Sequence, residues 1–489
     1  MFLVSVAAMT GRVASAERHY EPSIYRPSPD APPEENPPAR IWPSKRPLPM
    51  PTFGSNDRSR WATIRAIVED GTFIIGHREY HPDGSYVDTG RVFAPGYDSI
   101  DKVLDPKSNN FYSSKPPLLT VLLAGEYWCL NRLGLNLDSH RFLVVRTIVW
   151  TQNVLPIALY LFFFMRLTER YGATDWGRIF TYACACFATF LTTFAITLNN
   201  HVPAAVATFF AVYPLLMVES PLRWRHIAFS GFCAGLAFCF ELPALALVGG
   251  LFALLLVGIG QTAGKKWQTA AVFATAAAIP VLVQLYLTYL AIGTPIPAYA
   301  KIAKTGTENW YDYLGSHWQR PPGVSKHGID WAGDYEPRTV YALHLIVGHH
   351  GIFSLSPVWL MSFAAMAGAF IRVVGHVTVV RCRCDHLLAL SFLISVVVIV
   401  FYAAFAPAVN YGGWTSGARW FFWLTPVWLL GVQKAADVIT ERKSRLGQAC
   451  AYLCLFISVF SVNYPLWNPW RHPWLYNWLE AYGFIPYGR

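Results

Sequence analysis

Long apolar runs separated by short turns leave this 489-residue chain few choices of fold. They lie at about 142 to 165, 179 to 198, 202 to 219, 226 to 240, 244 to 259, 269 to 292, 351 to 371, 386 to 406, 420 to 437 and 447 to 463. A hydrocarbon core of roughly 30 Å takes about twenty apolar residues per helical crossing, so runs of this length and number prescribe a polytopic bundle. The stretch from 226 to 259 is too long for one crossing and carries "FELPA" at its middle, so it divides there and leaves Glu241 at a hairpin tip. With 54% hydrophobic and only 14% charged residues, an ordinary soluble protein is excluded. The nineteen Trp suit two membrane interfaces.

Positive charge in the turns then orients the bundle. One set holds Arg166, Arg170 and Arg178; Arg223 and Arg225; Lys265 and Lys266; Arg372, Arg381 and Arg383; and Arg442, Lys443 and Arg445. These are the cytoplasmic turns. The opposite turns "LNNHVP", "FELPA" and "PAVNYGGWTSGAR" carry one Arg between them, and the longer 293 to 350 segment is balanced in charge. The net charge of +10 follows from this bias and implies no nucleic-acid partner. Nine scattered Cys imply no disulfide framework, and Cys382 and Cys384 lack the spacing of a zinc site.

The organisation that follows has a segment 1 to 16, read either as part of a first transmembrane helix or as signal-like. A Pro-rich extracytoplasmic stretch spans 17 to 52 and a first extracytoplasmic loop 53 to 141. Transmembrane helices occupy 142 to 292 and 351 to 464, with an outer loop at 293 to 350 and an outer tail at 465 to 489.

Within the first loop, "SNDRSRWATIRAIVEDG" places Trp61, Ile64, Ile67 and Val68 on one helical face, which predicts an interfacial amphipathic helix capped by Ser55 or Asn56. The segment 109 to 134 opens with Lys115 and two prolines and is expected at the outer leaflet, with Lys115 at headgroup depth. "LNNHVP" reads as a tight outer hairpin that presents Asn200 and His201. "YGGWTSGAR" offers glycines for close backbone approach, Trp414, and the planar fork of Arg419 for a phosphate. His349 and His350, adjacent in sequence, are expected to point apart, and no metal site is assigned.

The motifs "DRSRWA" at 57 to 62 and "SKPPLL" at 114 to 119, in this order on one membrane face, resemble those of the GT-C membrane glycosyltransferases, in particular the branch of protein O-mannosyltransferases and the lipid A aminoarabinose transferase. "YGGWTSGAR" and "GHHGIFSLSPV" resemble stretches in bacterial members. The resemblance implies an all-α, GT-C-like bundle of about 10–12 transmembrane helices with interfacial helices in its first loop. It implies Asp57 as the catalytic carboxylate, Arg60 as the basic residue one turn on, and Lys115 as the group meeting the donor's phosphate. The chain departs from the family pattern at "LNNHVP", where relatives carry a second acidic residue, and at Ser114, where some carry Glu.

These features predict a multi-pass protein of the cytoplasmic membrane that transfers a sugar from a polyprenyl-phosphate donor to an extracytoplasmic lipid, glycan or protein. Asp57 is then the general base, Lys115, Arg60 and Arg419 bind the phosphate, and Asn200, His201, Trp414 and Glu241 are candidate substrate contacts. No cofactor is required; a divalent metal is compatible with the chemistry but unsupported by any ligand pattern. The rivals are a lipid or lipid-linked-sugar transporter or flippase, and a non-catalytic relative that binds lipid-linked sugars.

Overall fold

The structure is a computed structural model that describes residues 1–18, 49–218, 222–257, 266–301, 308–319, 328–375, 383–406, 409–485 and 487. Most of the Pro-rich segment, with Lys265, Arg381 and Cys382, lies outside the described residues.

Each apolar run contains a helix. Five helices are long and apolar enough to cross a membrane: Arg141–Tyr171, Asp175–Ile196, Lys266–Ile292, Arg383–Phe405 and Arg445–Asn463. Shorter apolar helices include His201–Met217 and Val358–Val374. Two elements run through the centre. His201–Met217 is buried along most of its length, and Thr425–Glu441 buries every residue from Thr425 to Gln433. Lys266–Ile292 and Arg445–Asn463 lie outside and leave Leu282, Tyr286, Leu453 and Phe456 exposed, as apolar sequences do when lipid replaces the core partner.

The turns sort to two ends as the charge pattern requires. At the basic end, Tyr171 Oη donates to the Leu216 carbonyl at 2.8 Å, and Asp437 accepts from the Ala173 and Thr174 amides at 3.0 and 2.9 Å. Arg383 donates there to the Leu215 and Val218 carbonyls. The helix Phe2–Ala14 packs into the bundle, with Met9 and Val13 buried and Ser5 Oγ donating to the Cys186 carbonyl at 2.9 Å.

Two expectations are corrected where the chain nears the other end. The run at 179 to 198 is not a continuous span closed by a tight hairpin. Its regular helix stops at Phe187, and the chain continues through the short turns Phe190–Thr193 and Phe194–Ile196 before the next helix starts at His201. Unpaired carbonyls in an apolar environment cost several kcal/mol each, and buried amides remove that cost here. Asn153 Nδ2 donates to the Ala195 and Thr197 carbonyls at 3.0 and 2.8 Å, and Gln152 Nε2 to the Asn199 carbonyl at 2.8 Å. Both amides sit on a π-turn, Trp150–Val154, which turns them toward the broken segment.

The helix Ser55–Arg65 is also not an amphipathic helix lying flat. Every residue from Asn56 to Arg65 is buried, and the N-cap is Gly54 with no side-chain capping bond. The charges tolerate burial because they are partnered: Arg58 pairs with Asp98 at 2.9 Å, and Arg65 with Glu69 and Asp138 at 2.9 and 2.8 Å. A π-turn to Asp70 and Gly71 at φ 68° end the helix.

The all-α expectation fails in the first loop. Strands β1 (Gly76–Tyr80), β2 (Tyr86–Thr89), β3 (Lys102–Leu104) and β4 (Asn110–Ser113) form an antiparallel sheet in the order β2-β1-β4-β3. The β1–β2 hairpin turns at "HPDGSY", with Gly84 at φ 84°, and Arg78 faces Asp88 in register, paired at 2.7 Å. The β3–β4 pair delivers Asp101 and Lys115 from its flanks. Pro117 then starts the helix Pro117–Arg132, whose sixteen residues rise only about 24 Å at 1.5 Å each, too short to span.

Candidate functional site

A cavity of about 1410 Å³ gathers residues from every outer segment of the sequence topology. Ser55–Arg60, Asp101–Lys115, Asn200–His201, Glu241, Trp414–Arg419 and the tail from Asn468 all contribute to its wall. Of the sequence-predicted residues, Lys115, Arg60, Arg419, Asn200, His201, Trp414 and Glu241 line it.

The structure places Asp57 behind the wall. It is 1% exposed, and its Oδ2 accepts from the Phe53 amide and from Thr197 Oγ1, both at 2.9 Å. Its Oδ1 has no hydrogen-bond partner among the described residues. Burial raises its carboxyl above the usual range, against the pull of the Phe53 amide and Arg58. Neighbouring Phe53 to Asn56 and Arg58 line the cavity; Asp57 is not among its lining residues.

Asp101, which no sequence motif singles out, is the acidic group beside Lys115. It pairs with Lys115 Nζ at 2.8 Å. Burial would raise its carboxyl, but the Lys115 ammonium, with Arg419 and Arg60, overrides this and holds it below the usual range. Lys115 is itself lowered by burial, partly offset by Asp101. Only the fold joins these two, since they flank β3 and β4 and meet when those strands pair.

Arg60 and Arg419 make no such direct ion pair among the described residues. Arg60 Nη2 donates to Asn200 Oδ1 at 2.8 Å and Nη1 to the Asn56 carbonyl and side chain, while its Nε is buried without a partner. Burial pushes the Arg60 guanidinium down to about 10. Arg419 donates to the Gly412 carbonyl through Nε and Nη2 at 3.2 and 2.9 Å, and meets His201 Nε2 at 3.1 Å. Neither guanidinium pairs with a carboxylate among the described residues.

Asn200 and His201 link the two. Asn199, one residue earlier, caps the helix by accepting from the Val202 amide at 2.9 Å, which frees Asn200 for the site. Asn200 Nδ2 donates to Glu241 Oε1 at 2.6 Å, and His201 Nδ1 meets the same oxygen. Because Arg419 Nη1 is a donor, His201 Nε2 is its acceptor and Nδ1 carries the proton given to Glu241. Trp414 is 42% exposed and its indole lies 4.7 Å from the His472 ring.

A buried aromatic cluster buttresses this wall. His349 and His350 do not point apart as expected, because they lie in a turn and their Nδ1 atoms face each other. His350 Nε2 meets the Thr415 carbonyl and His349 Nε2 the Tyr487 hydroxyl, each at 3.2 Å. Tyr487 and Tyr411 both donate to Glu336. Tyr411, at φ 53°, precedes Gly412 and Gly413 at 88° and 72°, so this anchor fixes the loop whose carbonyl holds Arg419. Burial raises the Glu336 carboxyl and lowers His472 to about 3. Among the described residues no group of three or more His, Cys, Asp or Glu is placed to hold a metal ion, and the described cysteines are free thiols.

No protein-family model matches the chain, and no curated protein sequence does. Two solved structures are similar in fold. One is the archaeal oligosaccharyltransferase AglB from Archaeoglobus fulgidus in complex with an inhibitory peptide and a dolichol-phosphate, at 11% identity and a TM-score of 0.46, over 98% of this chain and 57% of that one. The other is the Archaeoglobus fulgidus oligosaccharyltransferase in the apo form, at 11% identity and 0.42, over 95% and 55%. The chain thus spans a little over half the length of each.

Proposed function

We propose that this protein is a membrane glycosyltransferase of the GT-C kind, which transfers a sugar from a polyprenyl-phosphate donor to an acceptor on the extracytoplasmic face of the cytoplasmic membrane. The observation that carries this reading is the pair of buried guanidiniums, Arg60 and Arg419, facing one cavity without a carboxylate partner, with Lys115 on the same wall. Buried cations left without acids mark a place for an anion.

The chemistry follows from where charge develops. As the bond from the anomeric carbon to the phosphate oxygen breaks, negative charge grows on the phosphate, and cations held in advance of reaction stabilise it most. Arg60 and Arg419 are fixed by neutral partners, so they reach a phosphate without first breaking an ion pair. Lys115 supplies a point charge that Asp101 holds in place on the cavity wall. Exposed apolar faces of Lys266–Ile292, which carries the cavity residue Gln284, leave room for a polyprenyl tail in the lipid.

The test uses the purified protein with a whole-envelope extract of the producing cell, which supplies both the lipid-linked sugars and the acceptor, following release of polyprenyl phosphate. Wild type should release it, and Arg60→Ala, Lys115→Ala and Arg419→Ala should each reduce release at least tenfold. Binding of undecaprenyl phosphate with no release would favour a non-catalytic lipid-linked-sugar binder, and neither binding nor release would sink the reading.

A further inference from the structure

We infer that Glu241 is the proton acceptor of the transfer reaction, which rests on the glycosyltransferase reading above. The structure sets one carboxylate against the polar pair of "LNNHVP" from another element. Glu241 follows the last residue of the helix Trp224–Phe240 and reaches across to Asn200 and His201. Forty residues separate it in sequence from His201, so no local motif announces the pairing.

Its geometry is that of a base. Glu241 Oε1 accepts from both Asn200 and His201, which fixes the carboxylate plane, while Oε2 has no hydrogen-bond partner among the described residues and Glu241 lines the cavity. One side chain separates the carboxylate from each guanidinium: Asn200 stands between it and Arg60, His201 between it and Arg419. An in-line displacement needs such a spacing, because the sugar's anomeric carbon lies between the phosphate and the incoming nucleophile. A base in direct contact with the phosphate-binding cations would be neutralised by them, as Asp101 is by Lys115.

The other carboxylates fit less well. Asp101 is paired with Lys115, and Asp98 with Arg58. Asp57 does not line the cavity, and its Oδ2 is taken by the Phe53 amide and Thr197 Oγ1. Asp330 lies 3.4 Å from His317, and Glu480 accepts from Tyr476 Oη at 3.4 Å; neither is hydrogen-bonded to Asn200 or His201. In the step inferred, the acceptor's O–H or N–H proton goes to Glu241 Oε2 as its heteroatom bonds to the anomeric carbon. The carbon–phosphate-oxygen bond breaks, and its electron pair leaves with polyprenyl phosphate.

The experiment compares wild type, Glu241→Gln, Glu241→Ala and Asp57→Asn in the release assay, alongside thermal-shift binding of undecaprenyl phosphate. Glu241→Gln should lose turnover by on the order of 10² to 10⁴ while still binding undecaprenyl phosphate. Formate should partly restore turnover to Glu241→Ala by occupying the vacated carboxylate position. Turnover of Glu241→Gln within tenfold of wild type overturns the inference, and a loss in Asp57→Asn alone moves the role there. An inactive Glu241→Ala that binds undecaprenyl phosphate but is not rescued makes Glu241 a positioning residue and also overturns it. These failures leave the glycosyltransferase reading standing; that reading falls if wild type releases nothing.

Discussion

At the residue scale, the site depends on which donors and acceptors have partners. Gly412 illustrates this: a Cβ there would lie 2.9 Å from Arg419 Nε, at a backbone φ of 88° that L side chains rarely adopt. Gly412→Ala should therefore displace the Arg419 fork and weaken undecaprenyl phosphate binding about tenfold, roughly 1.4 kcal/mol, as measured by titration. Arg419→Lys should cost at least as much, since a point charge cannot hold the Gly412 carbonyl through two donors and still reach the phosphate. Asp57, a motif residue, also holds two donors of the surrounding frame. Asp57→Ala leaves the Phe53 amide and Thr197 hydroxyl without their acceptor, and thermal unfolding should show a loss of roughly 1–3 kcal/mol.

At the element scale, irregular backbone is held by side chains that the sequence shows only as isolated polar residues in apolar runs. Asn153 is one. Asn153→Leu removes the donor to two carbonyls of the broken segment, and denaturation in detergent should show a loss of at least roughly 1–3 kcal/mol, with weaker donor binding because Asn200 and His201 follow directly. The Glu336 anchor makes a pH-dependent prediction. Burial raises its folded carboxyl above the ordinary Glu value of about 4.3. The contribution of Glu336 to stability is then full below that value and falls as pH rises through the raised one. The melting temperature of wild type should decline across that interval, and Glu336→Gln should flatten the decline. A decline of equal slope in the variant would show that other groups cause it.

At the scale of the whole molecule, the alternation of charge and the gathering of outer turns on one cavity are two views of one topology. Labelling by a membrane-impermeant thiol reagent in whole cells tests it, in a background lacking the nine native cysteines. Asp83→Cys, in the β1–β2 turn, should label from outside, and Ser444→Cys, at the start of Arg445–Asn463, only after the membrane is opened. The reverse pattern would invert the bundle and place the cavity on the cytoplasmic side.

Sequence by itself determined the apolar helices, the division at "FELPA", the grouping of turns into two ends, and seven of the residues that line the cavity. These follow from hydropathy and charge, which act on each segment wherever its neighbours lie. The strands of the first loop were not legible in the sequence, which reads as all-α. Tertiary structure decided what periodicity could not. It buried Asn56–Arg65 by giving Arg58 and Arg65 acids to pair with and Asp57 and Arg60 neutral partners, brought Asp101 to Lys115, and set Glu241 against Asn200 and His201. The physical reason is common to all three: a charged side chain can be buried or aimed only where a partner meets it, and those partners come from segments far apart in the chain.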